Sequence, residues 1–178
     1  RKHIFYKGTE TIGTKAEHQM PGGEKINTED MAYPNNSPGL FIAEQDNTLI
    51  VTVNTFDHIL EEVTIPNIPL NKWVNVVIRV SNLNLDTFIN GNIAVRHRLR
   101  SPVKQNYGDV YVSMNGGYNG YTSDLKYWNY ALNIREIQKI VDAGPNMEMK
   151  ENSMIESEPR YFSLRWFFQN PEMDYGGL

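Results

Sequence analysis

Hydrophobic residues in this chain recur mostly at every second position, in short runs separated by polar turn residues. That period suits strands with one buried face, and differs from the 3.6-residue period of a helix. The densest stretch is residues 71–92, NKWVNVVIRVSNLNLDTFINGN, where Trp73 leads into Val74, Val76, Val77, Ile78 and Val80. β-Branched residues at this density favour a pleated surface. A second run, residues 85–89, follows the polar link 82–84 and ends at Asn90-Gly91. That dipeptide readily supplies the two positive φ angles of a tight hairpin. Residues 92–99 complete an antiparallel meander.

The same alternation predicts strands elsewhere. Residues 2–7 form one that stops at Gly8, and residues 39–43 and 48–54 form a hairpin around 44–47. In that hairpin Leu49, Val51 and Val53 share one face, with Ile50 and Thr52 on the other. Residues 59–65 alternate Ile59, Glu61, Val63 and Ile65 against Leu60, Glu62 and Thr64, and Pro66 and Pro69 end the run. Residues 107–114 and 122–128 are the remaining strands. The polar stretch 8–38 is long for a loop inside a domain, which marks it as functional, interfacial or partly disordered. One helix is predicted over 133–143: Asn133 caps it, Ile134, Ile137, Ile140 and Val141 form its stripe, and Gly144-Pro145 stops it. The fold class is therefore an all-β antiparallel sandwich over residues 1–145 with one short C-terminal helix. Residues 146–178 form an acidic linker (Glu148, Glu151, Glu156, Glu158) and an aromatic docking tail. Tyr161, Phe162, Trp166, Phe167 and Phe168 fall within eight residues there, and such rings dominate interfaces once buried.

Lys72-Trp73-Val74, Val77, Leu85-Asp86 and Phe88-Ile89-Asn90-Gly91 resemble the core of laminin-G-like modules in the concanavalin A-like lectin/glucanase superfamily of jelly rolls. Gly116-Gly117-Tyr118-Asn119-Gly120-Tyr121, then Ser123-Asp124-Leu125, Tyr127-Trp128-Asn129, Ala131-Leu132 and Glu136-Ile137, resemble the closing glycine-rich turn, last strand and short helix of that family. The variant is similar to modules found in capsid-associated proteins of large DNA viruses. The resemblance spans roughly residues 1–145 and implies the jelly-roll fold more than any activity. It also implies a strand pair before residue 1, so the chain is expected to be a piece of a longer protein lacking its N-terminal strands. Asp124 matches a family position and is expected to order the glycine-rich turn.

Composition narrows the partners. A chain of 178 residues can bury a substantial core. A net charge of −4 and a pI near 5.6 argue against general nucleic-acid binding, which favours a basic excess. There is no cysteine, consistent with synthesis in a reducing compartment. No apolar run approaches the ~20 residues of a membrane-spanning helix, and no signal peptide opens the chain. Asn35-Asn36-Ser37 is a glycosylation sequon in form only, without a secretory context.

Candidate chemistry is sparse. Glycosidases of the resembled superfamily carry E-x-D-x-E or a one-residue-longer version, because retaining hydrolysis needs two carboxylates about 5 Å apart. The nearest match, Glu44-Gln45-Asp46-Asn47-Thr48-Leu49, puts Thr48 or Leu49 where the acid/base should be, and reads as a polar turn. Glu61 and Glu62 are adjacent and point to opposite faces. The four histidines, His3, His18, His58 and His97, lack ligand spacing. Calcium is the candidate ion, with Asp46, Asn47, Asp57 and Asn115 as oxygen ligands, although Asp and Asn are also ordinary turn residues. Tyr118, Asn119 and Tyr121 are candidate carbohydrate-binding residues, and the rings of Tyr118, Tyr121, Tyr127 and Trp128 either stack on sugar or, more ordinarily, fill the sandwich core or its rim. Arg96, Arg98 and Arg100 alternate along one strand and would present three guanidinium groups from one face, either to solvent or to an acidic partner.

Three function classes follow. The first is a non-catalytic structural or interaction module of a minor capsid or capsid-associated protein. It would sit in a virion assembled in the host cytoplasm, docked to other virion proteins or to the rest of its own polypeptide. The second is a lectin-like module that binds glycan for attachment. The third, a glucanase-type hydrolase, is disfavoured by the broken acid motif.

Overall fold

The computed structural model describes residues 1–13, 17–19 and 23–147. The candidate docking residues Tyr161, Trp166, Phe167 and Phe168 lie outside them. The chain divides into two units, Arg1–Pro145 and Asn146–Leu178, and every element described belongs to the first.

The strands are β1 Lys2–Gly8, β2 His18–Gln19, β3 Lys25–Ile26, β4 Asn36–Ile42, β5 Leu49–Val53, β6 Glu61–Ile65, β7 Val76–Ser81, β8 Asn84–Ile89, β9 Asn92–Arg98 and β10 Asp109–Val112. The helix is α1, Ile134–Ala143. A five-stranded sheet has the order β10-β1-β4-β5-β6, and a three-stranded sheet is the predicted meander β7-β8-β9. All pairings are antiparallel. The protein is thus an all-β sandwich with one short helix, and its sheets are not closed into a barrel.

Side-chain alternation sorts the residues into three cores. Between the sheets, Leu40, Leu49, Val51, Val53, Val63 and Ile65 meet Leu85 and Leu99, with Phe5, Val76, Ile78 and Val95 packed around them. The outer face of the five-stranded sheet carries Tyr6, Phe41 and Ile50, covered by Ile26, Met31 and Ala32 from the long polar segment. The outer face of the three-stranded sheet carries Val77 and Phe88, covered by Leu132, Ile137, Ile140 and Trp128. Both faces of β5 are therefore buried, and the predicted division of Leu49, Val51 and Val53 from Ile50 is the observed one.

Several boundaries differ from expectation. Trp73 precedes β7, which begins only at Val76, and β6 begins at Glu61 rather than residue 59. β10 is shorter than residues 107–114 because Ser113 and Asn115 take positive φ and turn the chain. The segment 8–38 is not a bare loop: it contains β2 and β3 and already enters β4 at Asn36. Residues 122–128 are not the last strand. They pair with no strand among the described residues, and Asp124 sits at φ 54, outside the extended region. The helix starts and stops as predicted, with a reciprocal capping box between Asn133 and Glu136 and Gly144 at its end. Its stripe is narrower, since Ile134 is exposed and Ile137 alone is fully buried.

The two long sides of the sandwich differ. Where β6 meets β9, Glu61 bonds His97 across the sheets, and Thr55 bridges Val103. On the opposite side β10 and β7 are both edge strands, and nothing pairs with the outer edge of either among the described residues. Val112 is in register with Phe5, which packs into the inter-sheet core, so Val112 and Val110 face inward. Yet Val110 is 53% exposed and Val112 46%, because three strands cannot cover five.

Candidate functional site

The candidate arginines lie on β9 and just beyond it. Arg79, Asp86 and Arg96 occupy one cross-strand row on the outer face of the meander. Asp86 is buried, accepting from Arg96 Nε at 2.6 Å and from Arg79 Nη2 at 2.6 Å. Arg79 also donates to the Leu132 carbonyl at 3.0 Å and lies over the Phe88 ring, tying the approach to α1 onto the sheet. Hydrogen bonds from Arg96, and then from Arg79, hold the Asp86 carboxyl below its ordinary range against the opposing pull of burial. Arg100 pairs with Glu24 at 2.9 Å. Of the three arginines expected to dock a partner, Arg96 and Arg100 are therefore engaged within the fold. Arg98 alone has no ion pair with a described residue.

The second buried carboxylate is Glu61. Its phase in β6 places it beside Val63 and Ile65 on the inner face, where it accepts from His97 Nε2 at 2.7 Å and from the Arg100 backbone N–H at 3.1 Å. Glu62, one residue on, points the opposite way and meets Arg1 at 2.7 Å. The expected divergence of these two glutamates is observed. Glu24 binds Arg100 and stands 3.5 Å from the buried His58 ring, so it links the β3 approach to the β5–β6 loop. The Arg100 hydrogen bond, more than any other contact, keeps the Glu24 carboxyl below its ordinary range. Glu61 and Asp86 fall within predicted strands, but no local motif marks either as an anchor. The signal was phase: Glu61 alternates with Val63 and Ile65, and Asp86 with Phe88.

The four candidate calcium ligands are not brought together. Asp46 and Asn47 lie in the β4–β5 turn, and Asp57 lies in the loop at the other end of β5. Five extended residues between them amount to about 17 Å at ~3.3 Å per residue. Asp46 Oδ1 accepts from the Thr48 N–H at 3.0 Å and so orders its own turn, and Asn47 Nδ2 donates to the Ile68 carbonyl at 2.7 Å and so ties that turn to the segment after β6. Asn115 follows β10 and donates to Asp30 at 3.1 Å. Among the described residues no group of three or more His, Asp or Glu side chains is placed to hold a metal ion.

The candidate sugar-stacking residues follow the β10 turn. Tyr118 donates its hydroxyl to the Tyr121 carbonyl at 2.7 Å, and its ring lies against Gly120, where any Cβ would collide with it. Asn119 and Tyr121 are exposed, with Tyr121 at 75%. The arrangement offers one free ring. Tyr127 is also exposed, whereas Trp128 packs under α1. Asp124 pairs with Lys126 at 3.2 Å, two residues along the same segment, and among the described residues it makes no ion pair with the glycine-rich turn it was expected to order.

The motif proposed as a broken acid pair, residues 44–49, is the exposed β4–β5 turn running into β5. No helix among the described residues is long and apolar enough to cross a membrane.

No known protein family matches the chain, and no curated protein matches it. One solved structure that it is similar to is an S-layer domain-containing protein (residues 221–444) from Clostridium thermocellum, at 17% identity and a TM-score of 0.31. That match covers 75% of this chain and 65% of the other, and so faint a likeness carries no argument.

Proposed function

We propose that this chain is a non-catalytic structural or interaction module, of the kind its sequence resembles in capsid-associated proteins of large DNA viruses. The observation that carries the reading is the uncovered β10 side. Val110 and Val112 on β10 and Tyr107 before it are exposed, as are Tyr121, Leu125 and Tyr127 in the segment that follows. Val110 and Val112 sit on one face of an edge strand, and an uncovered apolar surface of that kind marks a docking site. The acidic net charge and the engagement of Arg96 and Arg100 inside the fold make apolar burial, rather than a basic patch, the source of affinity. Both buried carboxylates are saturated by donors, Asp86 by two arginines and Glu61 by His97 and a backbone N–H. That supports a role without acid–base chemistry.

The test is a double variant, Val110→Thr with Val112→Thr, which keeps β-branching while removing apolar surface. We expect an unchanged Tm and a clear loss of incorporation into the parent particle per folded molecule. Incorporation equal to that of the unmodified chain would overturn the reading. A second reading, glycan binding, is favoured by the free Tyr121 ring. Binding on a glycan array that disappears in Tyr121→Ala would establish it instead.

A further inference from the structure

Residues 26–32 cover the outer face of the five-stranded sheet and belong to the long excursion between β1 and β4. Their backbone bonds stay within that excursion. Gly13 donates to the Met31 carbonyl at 2.8 Å, Tyr33 to the Thr11 carbonyl at 3.4 Å, and Met31 to the Thr28 carbonyl at 3.2 Å. Side chains fix the cover to the sheet. Ile26, Met31 and Ala32 pack with Tyr6, Phe41 and Ile50, and polar contacts pin each end. Before the cover, Glu24 pairs with Arg100 at 2.9 Å and stands 3.5 Å from His58. At its far end, Nε2 of His3 on β1 lies 2.6 Å from the Asp30 carbonyl, Asn115 donates to the Asp30 carboxylate, and Arg1 donates to Met31 Sδ at 2.9 Å. An element bonded in this way can open while the sheets beneath it stay folded.

The histidines at the two ends respond to acid in opposite senses. A carbonyl only accepts, so Nε2 of His3 carries the hydrogen, and Nδ1 of the neutral ring carries none. Nδ1 is buried without a hydrogen-bond partner, and the ring stands edge-to-face with Phe41 at 4.9 Å and with Tyr6 at 5.7 Å. A proton added there puts a charge in a fully buried place with nothing to accept its hydrogen bond. Two charged residues face the ring: Arg1 opposes the proton and the Asp30 carboxylate favours it. Phe41 of β4 and Asn115 of the β10 turn bring no charge. Burial outweighs the rest and pushes the His3 pKa down. His58 also has no hydrogen-bond partner at either ring nitrogen, but a proton there meets the Glu24 carboxylate, which Arg100 already holds in place.

We propose that residues 26–32 form an acid-released cover: when His3 takes up a proton, the end at Asp30 and Met31 leaves the large sheet and uncovers Tyr6, Phe41 and Ile50, while Glu24 keeps the other end attached through His58 and Arg100. Neutralisation returns the proton to solvent and closes the cover. The device makes no use of the β10 surface and is independent of the docking reading.

Met31 is the reporter, because it is fully buried and its thioether is open to oxidation only once uncovered. The full 178-residue chain is treated with dilute hydrogen peroxide across pH, and each methionine is read by peptide mass spectrometry. Met147, 67% exposed, is the reference rate. One proton taken up on opening multiplies the open fraction as pH falls through 6.5, so Met31 should oxidise several times faster, up to about tenfold, at about pH 5.5 than at about pH 7.5. In His3→Asn, which keeps a donor for the Asp30 carbonyl but takes up no proton, the rate should be flat over this range. The open fraction at Met31 should also exceed that given by amide protection at Leu85 and Phe88 of β8 by about tenfold or more, as local opening requires. A flat Met31 rate in the unmodified chain overturns the proposal, whether or not the variant folds. Acceleration that persists in His3→Asn also overturns it. So do equal open fractions at Met31 and in β8, because the whole domain would then be unfolding.

Discussion

At the scale of single residues, the buried polar groups hold the sandwich together and set its response to acid. Asp86 has a folded-state pKa below its ordinary 3.8, so its contribution to stability is present above that value and is lost as pH falls through the folded one. His3 is the second acid-sensitive group. It is fully buried, its Nε2 lies 2.6 Å from the Asp30 carbonyl, and burial, more than any other influence, lowers its pKa from 6.5. Here the unfolded chain takes up the proton first, so this stability is present above pH 6.5 and is lost on acidification below it. Thermal melts across pH should therefore show two losses, one beginning near pH 6.5 and one below 3.8. The first should vanish in His3→Asn and the second in Asp86→Asn. Asp86→Asn should also destabilise the protein at pH 7 by roughly 3 kcal/mol, because Arg79, mostly buried, loses its counter-charge. Glu61→Ala strands a backbone N–H between the sheets and should cost about 1–3 kcal/mol, measured by denaturant unfolding.

At the scale of elements, local chemistry and tertiary contact divide the control. The turn at Asn90-Gly91 has φ of 50 and 82, as its dipeptide predicts, and Gly91 lies beneath α1, where a Cβ would sit 3.1 Å from Gln138. The helix owes its start to the Asn133–Glu136 capping box, with bonds of 2.9 and 2.7 Å. Asn133→Ala should destabilise the domain by about 1 kcal/mol, seen as a lower denaturant midpoint with an unchanged slope. β4 shows the opposite case. Gly39 packs so closely on Asn36 and Thr52 that a methyl group there has no room, which the sequence around it does not announce. Gly39→Ala should cost about 1–3 kcal/mol by overpacking, read from the same unfolding curve.

At the scale of the whole molecule, the asymmetry between the two long sides is the feature that matters for function. One side is bolted by Glu61 and His97, and the other is bounded by two edge strands with apolar side chains between them. Open edges invite strand addition, and proteins usually guard them. If the side is a docking surface, Val110→Thr with Val112→Thr should also reduce any concentration-dependent association of the isolated chain, measured by sedimentation. An association that is unaffected by those changes would place the contact elsewhere.

Much of the fold was legible in the residues alone, because strand alternation, β-branching and turn dipeptides act within a few positions of one another. The meander, the β4–β5 hairpin, the face division of β5 and the limits of α1 all follow from such short-range chemistry. Residues 122–128 carry the same alternation and still form no strand, because pairing depends on a neighbour and on the backbone at Asp124. The candidate sites were less legible for the same reason. Asp46 and Asp57 are near in sequence but sit at opposite ends of β5, and of the three candidate arginines Arg96 is paired from β8 by Asp86 and Arg100 by Glu24. Sequence determined which residues could be strand, turn and cap. Tertiary structure decided which charges meet, since among the described residues every ion pair but Asp124–Lys126 joins residues between 7 and 76 positions apart. It also decided which apolar side chains stay uncovered, because coverage depends on how many strands each sheet collects.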